Sequence, residues 1–203
     1  MARYTGPKDK ISRRFGVAIF GPSKALERRS FGPGQHGARS GRKKQSDYSV
    51  ALNEKQKLRY QYGVLEKQFR RFFEEASRRR GVTGEILLQM LECRLDNVIY
   101  RLGLANSRNA ARQYVSHGHV TVNGKKLNVP SAQVKPGDVV AMKQAARAQQ
   151  MGLRSLDLTQ AIVVPDWLTQ DRDKLGGKVN RLPSREEIDP IVNEQLVVEL
   201  YSR

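Results

Sequence analysis

The chain sets 37 Lys and Arg against 20 Asp and Glu, a formal charge of +17 over 203 residues. That surplus repels itself in any compact state that no polyanion neutralises. It is laid down unevenly, with +14 over residues 1–80, +5 over 81–158 and −2 over 159–203. No carboxylate lies between Asp96 and Asp138, whereas six Lys and Arg do. A surface that approaches phosphates calls for such segregation, because affinity scales with the number of phosphates neutralised. Apolar residues make up 38% of the chain, below the roughly 45–50% of an ordinary domain. One large domain or two small ones fit the length, and a single generous core does not. Cys93 is the one cysteine, which excludes an internal disulfide and a cysteine-cluster zinc site and fits a reducing compartment. No apolar run nears the roughly 18 residues that span a bilayer, and residues 1–30 lack a signal core. The expectation is a soluble, intracellular binder of nucleic acid with no membrane partner.

Residues 1–47 read as a basic extended arm. Gly6-Pro7, Gly21-Pro22 and Gly32-Pro33-Gly34 interrupt both helix and strand periods, and few apolar residues are there to bury. Phe15, Val17, Ile19, Phe20 and Phe31 are the local anchors, and the arm is expected to order against a charged partner. From Asp47 the pattern turns helical. One helix is predicted over 49–62, stopping at Gly63. A second, over 64–80, places Leu65, Phe69, Phe72, Phe73 and Ala76 at helical spacing and stops at Gly81. A third runs over 84–93.

Residues 94–140 are the most informative. A short helix over 94–102 turns Leu95, Val98, Ile99 and Leu102 inward. Ser107 is a fit N-cap for the next helix, and Gly118 a fit stop. At about 100° per residue, Arg108, Asn109, Arg112, Gln113 and Ser116 share one half of that helix; Ala110, Ala111, Tyr114 and Val115 share the other. One half is expected to pack and the other to present two arginines to phosphate. His119 to Val122 alternates as a strand, Asn123-Gly124 is a two-residue hairpin turn, and Lys125-Lys126 follows it. Residues 134–138 form another turn that feeds a strand over 139–142. Beyond it, 143–154 reads as a basic helix and 162–165 as extended chain. Ser184-Arg185-Glu186-Glu187 resembles a capping box that opens a short helix. The apolar run 196–201 reads as a strand or extended segment that packs on the body.

Several chemical motifs fail on context. Gly32-Pro33-Gly34-Gln35-His36-Gly37 satisfies G-x-G-x-x-G, but a dinucleotide site needs a strand before it, a helix after it and an acid about 20 residues on. Position 57, where that acid would fall, is Lys57. A tight basic turn near phosphate is the better reading. His117 and His119 have no third ligand nearby, so no metal is expected. Cys93 sits in an apolar helical stretch, unlike a nucleophile. Asp96 is read as a positioner of arginines, not as an acid–base group. No enzyme is expected, and no cofactor.

Arg94-Leu95-Asp96-Asn97-Val98, Ser107-Arg108-Asn109-Ala110-Ala111-Arg112-Gln113, Val115-Ser116-His117-Gly118 and Val120-Thr121-Val122-Asn123-Gly124 closely resemble the RNA-binding module named after small-subunit ribosomal protein four. Ala2-Arg3-Tyr4-Thr5-Gly6-Pro7, Pro33-Gly34-Gln35-His36-Gly37, Ser46-Asp47-Tyr48, Glu54-Lys55-Gln56-Lys57, Tyr62-Gly63-Val64-Leu65-Glu66 and Val198-Glu199-Leu200-Tyr201-Ser202 extend the likeness to bacterial members of that ribosomal family along the whole chain. The resemblance implies a primary binder of small-subunit rRNA that nucleates assembly of the subunit body. It further implies contact with small-subunit protein five, a part in decoding accuracy together with protein twelve, a place near the mRNA entrance, and cytoplasmic localisation within the small subunit. It implies no homo-oligomer. Zinc-bearing members carry C-x-x-C where this chain has Asp9 and Ser12, so the arm is expected to fold through RNA contacts and local apolar packing.

The implied fold is α+β: a helical domain with a basic extended N-terminal arm, carrying an inserted small α/β RNA-binding module of two helices and a twisted sheet. The expected division is arm 1–47, helical domain 48–93, module 94–157, and a segment 158–203 that packs back on the helical domain. The expected RNA contacts in the arm are Arg3, Lys8, Lys10, Arg13, Arg14, Gln35, His36, Arg39, Arg42, Lys43 and Lys44. In the helical domain they are Lys55, Lys57, Arg70 and Arg71; in the module, Arg108, Arg112, Gln113, His117, Asn123, Lys125 and Lys126. Two other classes remain open at this point. An RNA-modifying enzyme would need a catalytic centre in 143–203, which holds no His or Cys. A free RNA regulator or DNA binder would not co-sediment with ribosomal particles.

Overall fold

Helix α1 (Lys8–Phe15) opens behind Pro7, whose fixed φ suits a helix start, and closes at Gly16, in the left-handed region at φ 68°, whose N–H donates to the Ser12 carbonyl. The computed structural model describes residues 3–38, 45–160, 163–188 and 192–202. Within them the chain divides into two units. One holds the residues up to Gly84 and those from 192 onward; the other runs from Glu85 to 188.

In the first unit, α2 (Lys24–Arg28) is capped by Ser23, whose Oγ accepts from the Leu26 N–H and donates to Asp9 Oδ1 at 2.9 Å. The arm therefore carries two short helices where the sequence predicts none. Local apolar packing accounts for them: Ile11 and Ile19 are buried, and Tyr60 of α3 (Asp47–Gln61) meets Tyr4 at 5.1 Å and Phe15 at 6.4 Å. Ser46 caps α3, and Gly63, at φ 63°, turns the chain toward α4 (Glu66–Arg78), which buries Phe69 and Ala76. The run 196–201 lies within α9 (Glu194–Ser202), a helix packed on α3, not the strand or extended segment expected. A short apolar run reads equally as either state. Asn193 decides it, its Oδ1 accepting from the Gln195 N–H at 3.0 Å. Val197 is then buried, and Tyr201, four residues on, stacks on Phe73 at 4.7 Å.

The second unit follows α5 (Thr83–Glu92) with α6 (Leu95–Arg101), α7 (Arg108–Ser116), β1 (Val120–Val122), β2 (Lys125–Lys126), β3 (Val139–Met142), α8 (Ala146–Leu158), β4 (Leu168–Asp171) and β5 (Gly176–Val179). The sheet is antiparallel throughout, in the order β2-β1-β3-β5-β4, with Val120 opposite Met142, Val140 opposite Gly177, and Leu168 opposite Val179. Leu95, Val98, Ile99 and Leu102 of α6 and its end, Ala111 and Val115 of α7, and Val120, Val140, Met142, Trp167 and Val179 form its core.

Strands β4 and β5 correct the expected boundary at 157/158. β5 pairs with β3 and β4 with β5, so 163–188 stay with the sheet, and among the described residues 192–202 return to the first unit, where α9 packs on α3. Gly177 has no room for a side chain: a Cβ there would lie 2.5 Å from Leu102 Cδ2 and from the Thr169 carbonyl. The capping box at 184–187 gives a turn and no helix among the described residues. The Ser184 N–H and hydroxyl both donate to Glu187 Oε2, at 2.8 and 3.1 Å, the Glu187 half of a capping box, while Arg181 grips both Glu187 oxygens at 2.6 and 2.7 Å.

Candidate nucleic-acid interface

The second unit builds its polar surface on an enclosed ionic framework. Arg94 is fully buried and donates to both oxygens of Asp96, at 3.0 and 2.7 Å. Asp96 thus positions an arginine, as the sequence suggests. Glu92, also buried, accepts from Arg101 Nε and Nη2 at 3.0 and 2.7 Å and from Asn97 Nδ2 at 2.7 Å. Asn97 Oδ1 in turn accepts from Arg108 Nε at 2.8 Å, and the Arg108 guanidinium lies 4.6 Å from the Tyr100 ring. The chain fixes the first turn of α7 through this relay, together with the Ser107 cap on the Ala110 N–H.

The relay corrects the helical-wheel expectation. Arg112 is buried at 5% exposure, and Arg108 is half-buried with its guanidinium held by Asn97 and Tyr100. A wheel sorts side chains by polarity, but a long arginine stem packs along apolar surface as readily as a leucine does. The open side of α7 belongs to Gln113 and Ser116, with His117 exposed just beyond.

Past Gly118 the hairpin presents its tip. Asn123 and Gly124 both sit at positive φ, 50° and 77°, the geometry a two-residue turn of this twist requires. Asn123 is exposed, yet its amide is occupied: Nδ2 donates to Asp138 Oδ1 at 2.8 Å and Oδ1 accepts from the Val139 N–H at 2.9 Å. Lys125 and Lys126 are exposed on β2. Lys143 and Arg147 are exposed as well, and sequence reasoning left them out of the site although they lie in the stretch read as a basic helix. Their place just before and on the first turn of α8 was the available signal.

In the first unit Arg3, Lys8, Lys10, Arg14, Gln35, His36, Arg70 and Arg71 are exposed. Arg14 and Lys57 line one cleft with Phe15, Gln45, Asn53 and Glu54. Arg13 is half-buried and donates to the Phe31 and Gly32 carbonyls at 3.2 and 3.1 Å, pinning the glycine-rich turn. That turn is tight because a Cβ on Gly37 would overlap the Gly32 carbonyl. Lys57 pairs with Glu54. Lys55 is buried and donates to Glu66 at 2.7 Å. Burial pushes the Glu66 carboxyl up, but bonds from Lys55 and Tyr201 and the charges of Lys55 and Arg59 hold it below its ordinary value. Arg39, Arg42, Lys43 and Lys44 lie outside the described residues.

Among the described residues no His, Cys, Asp and Glu group is placed to hold a metal, and no helix is long and apolar enough to cross a membrane. Burial, with the charge of Glu92, pushes the Cys93 thiol up to about 12, far from a nucleophile's range.

The model of the ribosomal protein S4/S9 N-terminal domain matches residues 3–92, and that of the S4 domain matches residues 93–140. Over the full length of both chains, the protein is 70% identical to small ribosomal subunit protein uS4 of Akkermansia muciniphila. The same comparison gives 55% for the uS4 protein of Opitutus terrae and 51% for that of Parabacteroides distasonis. With these matches, the α+β fold and the hairpin module, the chain belongs to the uS4 family of structural, non-catalytic small-subunit ribosomal proteins.

Proposed function

We propose that the protein is a primary rRNA-binding protein of the small ribosomal subunit that neutralises backbone phosphates at many points and reads RNA shape rather than base sequence. The observation that carries this reading is the exposure of Lys125 and Lys126 at a rigid hairpin, with Gln113, Ser116 and His117 exposed on the helix before it. The exposed cations Arg3, Lys8, Lys10 and Arg14 give the first unit a second binding face. Arg108, held by Asn97 and Tyr100, steadies the first turn of α7 while its neighbours meet the RNA. Arg39, Arg42, Lys43 and Lys44 extend the same basic arm.

Binding at several points folds the transcript around the protein, so the protein acts early and nucleates the body of the subunit. It contacts small-subunit protein five, influences decoding accuracy together with protein twelve, lies near the mRNA entrance, and works in the cytoplasm without forming a homo-oligomer. The full-length family likeness supports these roles.

The test is the affinity of the full chain for a small-subunit rRNA fragment across a salt series. Lys125→Ala/Lys126→Ala is expected to weaken binding by about 1 kcal/mol per lost contact and to flatten the log–log salt slope by about one per phosphate released. Unchanged affinity and slope in this double variant and in Lys8→Ala/Lys10→Ala would sink the reading.

A further inference from the structure

The end of α7 and the chain ends beside it gather five groups that carry or can acquire positive charge. His117 ends α7 and is exposed; Gly118, at φ 71°, turns the chain so that the His119 N–H donates to the Tyr114 carbonyl at 3.0 Å. The two imidazole rings lie 6.1 Å apart, tilted by 54°. Lys126 lays its side chain across Gly118, where a Cβ would overlap its Cε. The Lys143 N–H donates to the His119 carbonyl at 2.7 Å, and Arg147 follows on the first turn of α8.

The groups that face His119 are thus His117 from the end of α7, Lys126 from β2, Lys143 from the turn after β3 and Arg147 from α8. Burial, then the charges of His117, Arg147, Lys143 and Lys126, hold His119 below its ordinary value, so the free protein carries it neutral near pH 7. An anion on this cluster reverses the balance. Phosphodiester oxygens accept from imidazole N–H, ammonium and guanidinium groups, and their charge favours the imidazolium.

We propose that His117, His119, Lys126, Lys143 and Arg147 form one site for the phosphodiester backbone of RNA, and that filling it draws a proton onto His119. The inference rests on the RNA-binding reading above and adds a proton linkage to it. The sign follows from the two states: the bound form holds more protons, so affinity rises as pH falls through the histidine range.

The full chain is titrated with a small-subunit rRNA fragment at fixed ionic strength from about pH 7.5 to about pH 5.5, across the histidine range. Binding is expected to tighten by up to about tenfold per pH unit for each proton taken up. His117→Gln/His119→Gln flattens that dependence, and Lys143→Gln/Arg147→Gln weakens binding at every pH. The His119 ring resonances of the wild-type chain titrate at higher pH with RNA bound, a readout independent of any variant's folding. An equally steep dependence in the histidine variant, or resonances unmoved by RNA, would overturn the site while RNA binding itself survives. Movement with inorganic phosphate but not with RNA would overturn it too, and wild-type chain that binds no RNA at any pH would remove both inferences together.

Discussion

Asp96 is the carboxylate on which a buried cation depends. Arg94 has no exposed surface and gives Asp96 two short hydrogen bonds, so Asp96→Ala removes a bidentate counter-charge from a cation in the interior. The expected cost is about 3–5 kcal/mol, whereas Arg94→Met/Asp96→Leu, which removes both charges, costs less than the single change. Trp167, the one tryptophan and buried in the same core, reports the loss as a lower urea midpoint in fluorescence. The chemistry of this pair was legible in sequence because Asp96 stands at the edge of an acid-free stretch. The fates of Lys55 and Arg112 were not. Residue type says that a cation wants a counter-charge or a solvated head, but only packing says that Lys55 finds Glu66 eleven residues away.

The β1–β2 hairpin is the element most fully written in the sequence, since Asn123-Gly124 names both the turn and the register that puts Val122 opposite Lys125. The structure adds a second task to Asn123, whose amide ties the hairpin to Asp138 and Val139. Asn123→Ala loses two hydrogen bonds and places a Cβ-bearing residue without a compensating side chain at φ 50°. It is expected to cost about 1–2 kcal/mol, read from Trp167 fluorescence in urea. Strands β4 and β5 were silent in sequence because Thr169-Gln170-Asp171 and Gly176-Gly177 carry no apolar alternation. Their signal is steric: the glycines exist so that Val140 and Leu102 can come close, which no local pattern encodes. Helix α9 failed for the opposite reason, its apolar run being too short to separate period 2 from period 3.6.

For the whole molecule, a charge of +17 governs solution behaviour. Screening weakens self-repulsion in the free chain and weakens phosphate binding in the complex. Added salt is therefore expected to raise the melting temperature of the free protein and to lower that of its RNA complex, as scanning fluorimetry would read; parallel shifts would contradict that account of the charge. The first unit also has a discontinuous chain. Its helices α1 to α4 are made first, and α9, which supplies Val197 and Tyr201 to them, is made only after the intervening unit. At roughly 5–20 residues per second, a growing polypeptide leaves Phe69 and Phe73 without their stacking partner for about 6–26 s while the sheet-bearing unit is being made. Translation thus imposes an order of maturation on this molecule, and its earliest-made apolar surface waits, open to chaperones, for its last-made helix.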